Sequence, residues 1–183
     1  MAEKIGENGR ELELADPARI GILRESARGA YPAPPGQLES GGSVMHVQRA
    51  EVVHTSILAS PQEVIAFLSD MNDWKTWAPW IRSVRRSSAR DWTLETEAGV
   101  MEVHFVEPNS LGVLDHDVTL ASGVTVHNSM RVLANGSGSE LVMVLFQQPD
   151  MSAAAFERDV AAVRDDLARI KQVAEALTEE SRR

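Results

Sequence analysis

The chain has 183 residues, 43% of them hydrophobic and 25% charged, with a net charge of −9 and no cysteine. That length suits one globular domain with some chain to spare. The acidic balance argues against nucleic acid as a partner, and the missing thiols rule out disulfides, thiolate zinc sites and a cysteine nucleophile while suiting a reducing cytoplasm.

The N-terminus, MAEKIGENGRELELADPARIG, is too polar for a secretory signal. The longest strongly apolar run, LVMVLF at 141–146, is far too short to cross a membrane, so an integral membrane protein is not expected. ELELADPARIGILRESARGA has the makings of a short helix, but its apolar positions are few. The stretch YPAPPGQLESGGS that follows holds three prolines and three glycines in thirteen residues. Such a composition reads as a linker without a core of its own. Residues 1–45 are therefore expected to be an extension outside the core, or Met45 to be the functional start. The domain itself is expected over residues 46–178, with 179–183 a short tail.

A first strand is expected at about 47–58, VQRAEVVHTSIL. SPQE follows at 60–63: Ser60 can cap a helix, Pro61 suits its first turn, and Glu63 completes a capping box. The helix runs on through EVIAFLSD. A second short helical piece holds WKTWAPW, with Trp74, Trp77 and Trp80 spaced by three and Pro79 limiting its length.

Five alternating runs come next, at about 82–88, 91–96, 100–106, 111–120 and 124–134, then a sixth apolar run at 140–148. EAG, EPNS, ASG and NGSG punctuate them as hairpin turns. A turn at Glu97-Ala98 sets Leu94 opposite Met101 and Trp92 opposite Val103. A turn at Pro108-Asn109 sets Val103 opposite Leu114 and Met101 opposite His116. A turn at Ala121-Ser122-Gly123 sets Val118 opposite Val126, His116 opposite Asn128, and Leu114 opposite Met130. One face then stays apolar across four strands. The other collects Thr93, Glu95, Glu102, His104, Asp115, Asp117, His127, Ser129 and Arg131. A slip of one residue would invert the faces, so their agreement supports the pairing. The run at 140–148 is apolar on both faces and its register stays open.

A long helix is expected at about 152–178, with Phe156, Val160, Val163, Leu167, Ile170, Val173 and Leu177 on one stripe. Burying those side chains is worth roughly 10–20 kcal/mol gross, at about 1.5–3 each. The apolar sheet face is the surface available to receive them. A curved sheet cannot touch one helix across its whole width, so a space is left between them unless large side chains fill it.

The residues ASPQEVIAFLSDMNDWKTWAPWI (59–81), the hairpin NGSGSE (135–140) and LFQQPDMSAAAFERDVAAVRDDLARIKQVAEAL (145–177) together resemble the SRPBCC superfamily, the START-like or helix-grip fold. More narrowly they resemble its polyketide cyclase/dehydrase branch. The resemblance implies an α+β architecture: a curved antiparallel sheet of about seven strands wrapped around a long C-terminal helix, with two short helices after the first strand. It also implies a deep apolar cavity between sheet and helix for a lipid, polyketide or isoprenoid. It brings no catalytic motif that can be carried over residue by residue, and no cofactor.

The inner candidates for contact with such a ligand are Trp92, Leu94, Met101, Val103, Phe105, Leu114, His116, Val118, Asn128, Met130, Phe156, Val160, Val163 and Leu167. Pockets of this kind are mostly apolar with a few placed polar groups. His116 and Asn128 are those groups here, free to bond a ligand's carbonyl or hydroxyl, or else to satisfy each other or a buried water. In a cyclase-, aromatase- or dehydratase-type enzyme, His116 would be the acid/base, since its ordinary pKa is about 6.5. Trp74, Trp77, Trp80 and Trp92 could close the cavity mouth, though filling the core is the commoner role and is preferred for Trp77 and Trp80. His127 faces Asp117 on the polar side. His46, His54 and His104 are not placed to complete a metal site there, and no HxH or HExxH spacing exists, so no metal is expected. The basic run RSVRRSSAR, 82–90, could attract an anionic headgroup or an acidic partner, but reads first as a solvated strand edge. A cytoplasmic binder of a small hydrophobic molecule, monomeric or homodimeric, is the expected protein. An interaction module whose cavity is filled by its own side chains is the remaining alternative.

Overall fold

A computed structural model describes residues 47–148 and 151–183. The extension expected at residues 1–45 lies outside the described residues. The order is β1 (Ala50–Ile57), α1 (Pro61–Ser69), β2 (Ile81–Arg86), β3 (Asp91–Thr96), β4 (Gly99–Phe105), β5 (His116–Thr119), β6 (Thr125–Asn135), β7 (Gly138–Phe146) and α2 (Ala153–Ser181). The strands form one antiparallel sheet in the order β1-β7-β6-β5-β4-β3-β2. This is the expected helix-grip arrangement.

Local chemistry sets the element ends. The Ser60 hydroxyl accepts the Glu63 N–H, and the Glu63 carboxylate accepts the Ser60 N–H at 2.7 Å, which completes the capping box on α1. The piece expected to be a second helix is a single 3-10 turn, Asp73–Thr76. It is too short to count as a helix, because Pro79 and the start of β2 at Ile81 follow at once. Two turns need glycine: Gly123 closes the β5–β6 hairpin at φ +83°, and Gly136 the β6–β7 hairpin at φ +61°.

Two hairpins pair as expected, Leu94 with Met101 and Trp92 with Val103, then His116 with Asn128 and Val118 with Val126. The β4–β5 pairing does not. Val103 faces Val118 and Phe105 faces His116, in place of Val103 with Leu114 and Met101 with His116. The cause is Asn109. Its Oδ1 accepts the N–H groups of Leu111 and Val113, and its Nδ2 donates to the carbonyls of Glu107 and Val113. These bonds hold the chain in a loop between β4 and β5 where a tight turn was expected, and they shorten the 111–120 strand to His116–Thr119. The shift is four residues, an even number, so every side chain kept its face.

β7 lies between β1 and β6, with Leu141 against Val132 and Met143 against Met130 on the buried side. That settles the register of the last strand. Along α2 the buried positions are Phe156, Val160, Val163, Asp166, Leu167, Ile170, Ala174 and Thr178. Leu177, expected on this stripe, is 45% exposed, and Val173 is only partly buried. Over six turns the 3.6-residue period drifts off a strict four-three alternation, so Ala174 and Thr178 take the inner positions.

Candidate functional site

The inner surface begins with β5. Thirteen of the fourteen side chains expected there are buried, and Asn128 alone keeps partial exposure. His116 is 1% exposed, at the first position of β5 and opposite Asn128. Its Nδ1–H donates to the Leu114 carbonyl at 3.0 Å, which fixes the neutral tautomer with the lone pair on Nε2. Burial pulls the imidazolium pKa down from 6.5 to about 4, overcoming the opposite pull of that hydrogen bond. His116 is thus an uncharged acceptor at neutral pH.

Two aromatic rings frame it, and a third backs one of them. Trp74 stands edge-on to His116 with centroids 5.6 Å apart, and Phe105 lies tilted against it at 4.9 Å. Trp77 packs on Trp74 at 5.0 Å. Trp74 is wholly buried, and its indole N–H donates to the Leu68 carbonyl at 3.0 Å, which ties the 3-10 turn to the end of α1. Trp77 is core as expected, while Trp80 is only partly buried. The contact of Trp74 with His116 was missed in the sequence. The spacing by three marked the tryptophans as a unit, but only the 3-10 turn decides which ring reaches β5.

His116 and Asn128 do not satisfy each other. His116 Nε2 and Asn128 Nδ2 are both buried without a hydrogen-bond partner. Trp77 Nε1, Trp80 Nε1, Trp92 Nε1 and Ser139 Oγ are in the same condition. Such atoms are rare in a closed core, where each costs about 1–3 kcal/mol. On the same surface Val126, Asn128 and Leu145 keep partial solvent access. The backbone of α2 runs closest to β1 and approaches no other strand to the same extent. The middle of the sheet, where His116 and Asn128 stand, lies farther from the α2 backbone than β1 does.

A pocket of about 180 Å³ opens under the β2–β3 turn. Phe105 and Leu114 form part of its wall, and these two residues also contact His116. A second pocket, of about 190 Å³, lies between α1 and the end of α2 and includes the exposed Leu177. Neither is lined by His116 or Asn128 themselves.

The polar face holds paired groups. His127 Nδ1 lies 2.7 Å from Asp117, as expected, and His54 and His104 sit against Glu140 and Asp91 at 2.6 and 2.5 Å. Asp115 departs from expectation: it is buried, because its carboxylate accepts the Met130 N–H at 2.8 Å and is covered by Arg131. Among the described residues no group of three or more His, Asp or Glu is arranged to hold a metal. No helix among them is long and apolar enough to cross a membrane.

No protein-family model matches the chain, and no curated protein does. Solved structures do match. A START superfamily protein from Mycobacterium smegmatis aligns over 70% of this chain and 98% of its own, at 14% identity and a TM-score of 0.55. Ara h 8.0201 aligns over 70% and 98%, at 10% identity and a TM-score of 0.57. DynU16, a protein of the dynemicin biosynthetic locus, aligns over 69% of this chain and 47% of its own, at 12% identity and a TM-score of 0.55. At such identities the likeness is one of fold.

Proposed function

We propose that this chain, which has the START-like helix-grip fold, binds a small, largely apolar molecule of the lipid, polyketide or isoprenoid kind between its sheet and α2. The observation that carries this reading is the pair of unpartnered atoms, His116 Nε2 and Asn128 Nδ2, at facing positions on an otherwise apolar surface. One is an acceptor and the other a donor. A single hydroxyl satisfies both, its oxygen accepting from Asn128 and its hydrogen going to His116. Apolar contact would supply most of the affinity and this bond the orientation. DynU16 coming from a biosynthetic locus is in keeping with a partner of small-molecule origin.

His116 favours binding over catalysis. With its pKa near 4 it is a feeble proton acceptor at neutral pH, whereas a general base works best with a pKa close to the operating pH. A cyclase or dehydratase role would need a proton relay that His116 alone does not supply.

The test is a panel of long-chain and cyclic alcohols, scored by the shift in melting temperature of wild-type protein and of Asn128→Leu. Wild type should be stabilised by some members of the panel. The variant should lose about fivefold to tenfold in affinity, the worth of one buried hydrogen bond. A panel that shifts neither protein, or both equally, would count against the site.

A further inference from the structure

The basic run RSVRRSSAR covers β2 and the turn that follows it. β2 is indeed an edge strand, and it ends on Arg86. Arg86 folds back over the following turn. Its Nε donates to the Ser88 carbonyl at 2.9 Å and its Nη2 to the Ala89 carbonyl at 3.3 Å. Its guanidinium carbon lies 5.1 Å from the centre of the Trp92 ring. These contacts hold the fork in place without cancelling its charge.

Two of the neighbouring charged groups already have partners of opposite sign or a hydrogen-bond donor. Arg90 pairs with Glu107 at 2.9 Å. Asp91 is engaged by Ser88 and His104. Arg85 donates to the hydroxyls of Ser87 and Thr93, on the face of the sheet opposite to Arg86 and Trp92. Arg86 has no carboxylate partner among the described residues. It stands on the pocket of about 180 Å³, whose walls include Arg90, Glu107, Ile65, Phe105 and Leu114. One uncancelled positive charge therefore overlooks a largely apolar recess, and the recess abuts the ring of His116 across Phe105 and Leu114.

Building on the occupied interior proposed above, we infer that this pocket is a head-group site for an amphiphilic carboxylate. Arg86 binds the carboxylate at the rim, and the apolar part runs along Phe105 and Leu114 toward His116. A carboxylate fits better than a phosphate monoester because the N–H groups that Arg86 has left after its two carbonyl bonds offer one positive charge to one negative charge and two oxygens. A dianionic head would leave a charge unmet beside Glu107.

The test compares octanoate with 1-octanol, which share a chain and differ in the head, by titration calorimetry on the full chain and on Arg86→Gln. Arg86 is exposed, so the substitution should leave the fold intact. Wild type should prefer octanoate by about tenfold. Arg86→Gln should erase that preference by weakening octanoate alone, and added salt should weaken octanoate in wild type more than octanol. Equal binding of both probes by wild type would overturn the head-group site and leave the interior site standing. An unchanged preference in Arg86→Gln would overturn the role of Arg86. Failure to bind either probe would overturn the head-group site, and a ligand recovered by extraction would then decide the interior site separately.

Discussion

His116 is a buried imidazole whose environment resists protonation, and this has a consequence for stability. Its pKa is about 4 when folded and 6.5 ordinarily. Between those values the unfolded chain carries more protons than the folded one. Stability from this group is therefore complete above pH 6.5 and is lost as pH falls toward 4, by about 3 kcal/mol in all. Urea unfolding followed across this range should show the decline in wild type, and His116→Gln should flatten it. Three carboxylates act in a lower window. Serine hydroxyls hold Glu63, Asp91 and Glu140 below their ordinary values of 4.5, 3.8 and 4.5, so their contributions fade only as pH drops beneath those. Asn128 makes the complementary case. Its Nδ2 is buried and unsatisfied, so Asn128→Leu should stabilise the ligand-free protein by about 1 kcal/mol while it weakens binding. A loss of stability would mean that Asn128 serves the fold and not a ligand. The pairing of these two residues was legible in the sequence, because period-two alternation around a three-residue turn leaves one register. Their unpartnered state was not, since it depends on where the Trp74 and Phe105 rings stand.

At the level of elements, the sequence disclosed faces better than registers. β3–β4 and β5–β6 were read correctly because Glu97-Ala98 and Ala121-Ser122-Gly123 are short turns with one geometry each. The β4–β5 connection misled because Pro108-Asn109 looks like a tight turn, while the Asn109 side chain bonds four backbone groups and builds a larger loop. Gly112 anchors that loop. It has φ +73°, and a Cβ there would stand 2.0 Å from the Val132 carbonyl oxygen. Gly112→Ala should cost more than about 2 kcal/mol, read from denaturant midpoints, and should loosen the wall that Leu114 gives to the pocket. An effect within about 0.5 kcal/mol would mean that the loop does not hold this shape. On α2 the first five stripe positions were right and the end drifted, because a helical period of 3.6 does not repeat with seven. Ala174 and Thr178, neither a strong apolar signal, took the place of Leu177.

On the scale of the whole molecule, element order and the alternating faces were enough to reach the helix-grip fold. What they left open was whether the interior is empty, occupied or filled. The α2 backbone lies close to β1 and approaches no other strand to the same extent, so the volume over β4, β5 and β6 must be taken up by side chains or by something else. Trp74, Trp77 and Phe105 fill part of it. The unpartnered atoms around them show that this filling does not meet the hydrogen-bonding needs of the interior. The most direct measurement is native mass spectrometry of freshly purified protein, followed by organic extraction and mass analysis of what is released. An occupied interior predicts a discrete added mass, recovered in the organic phase, that Asn128→Leu protein retains poorly. A bare mass in wild type, joined to no melting shift with any apolar compound, would contradict it and leave a core in which Trp74 and Phe105 have closed the space around His116.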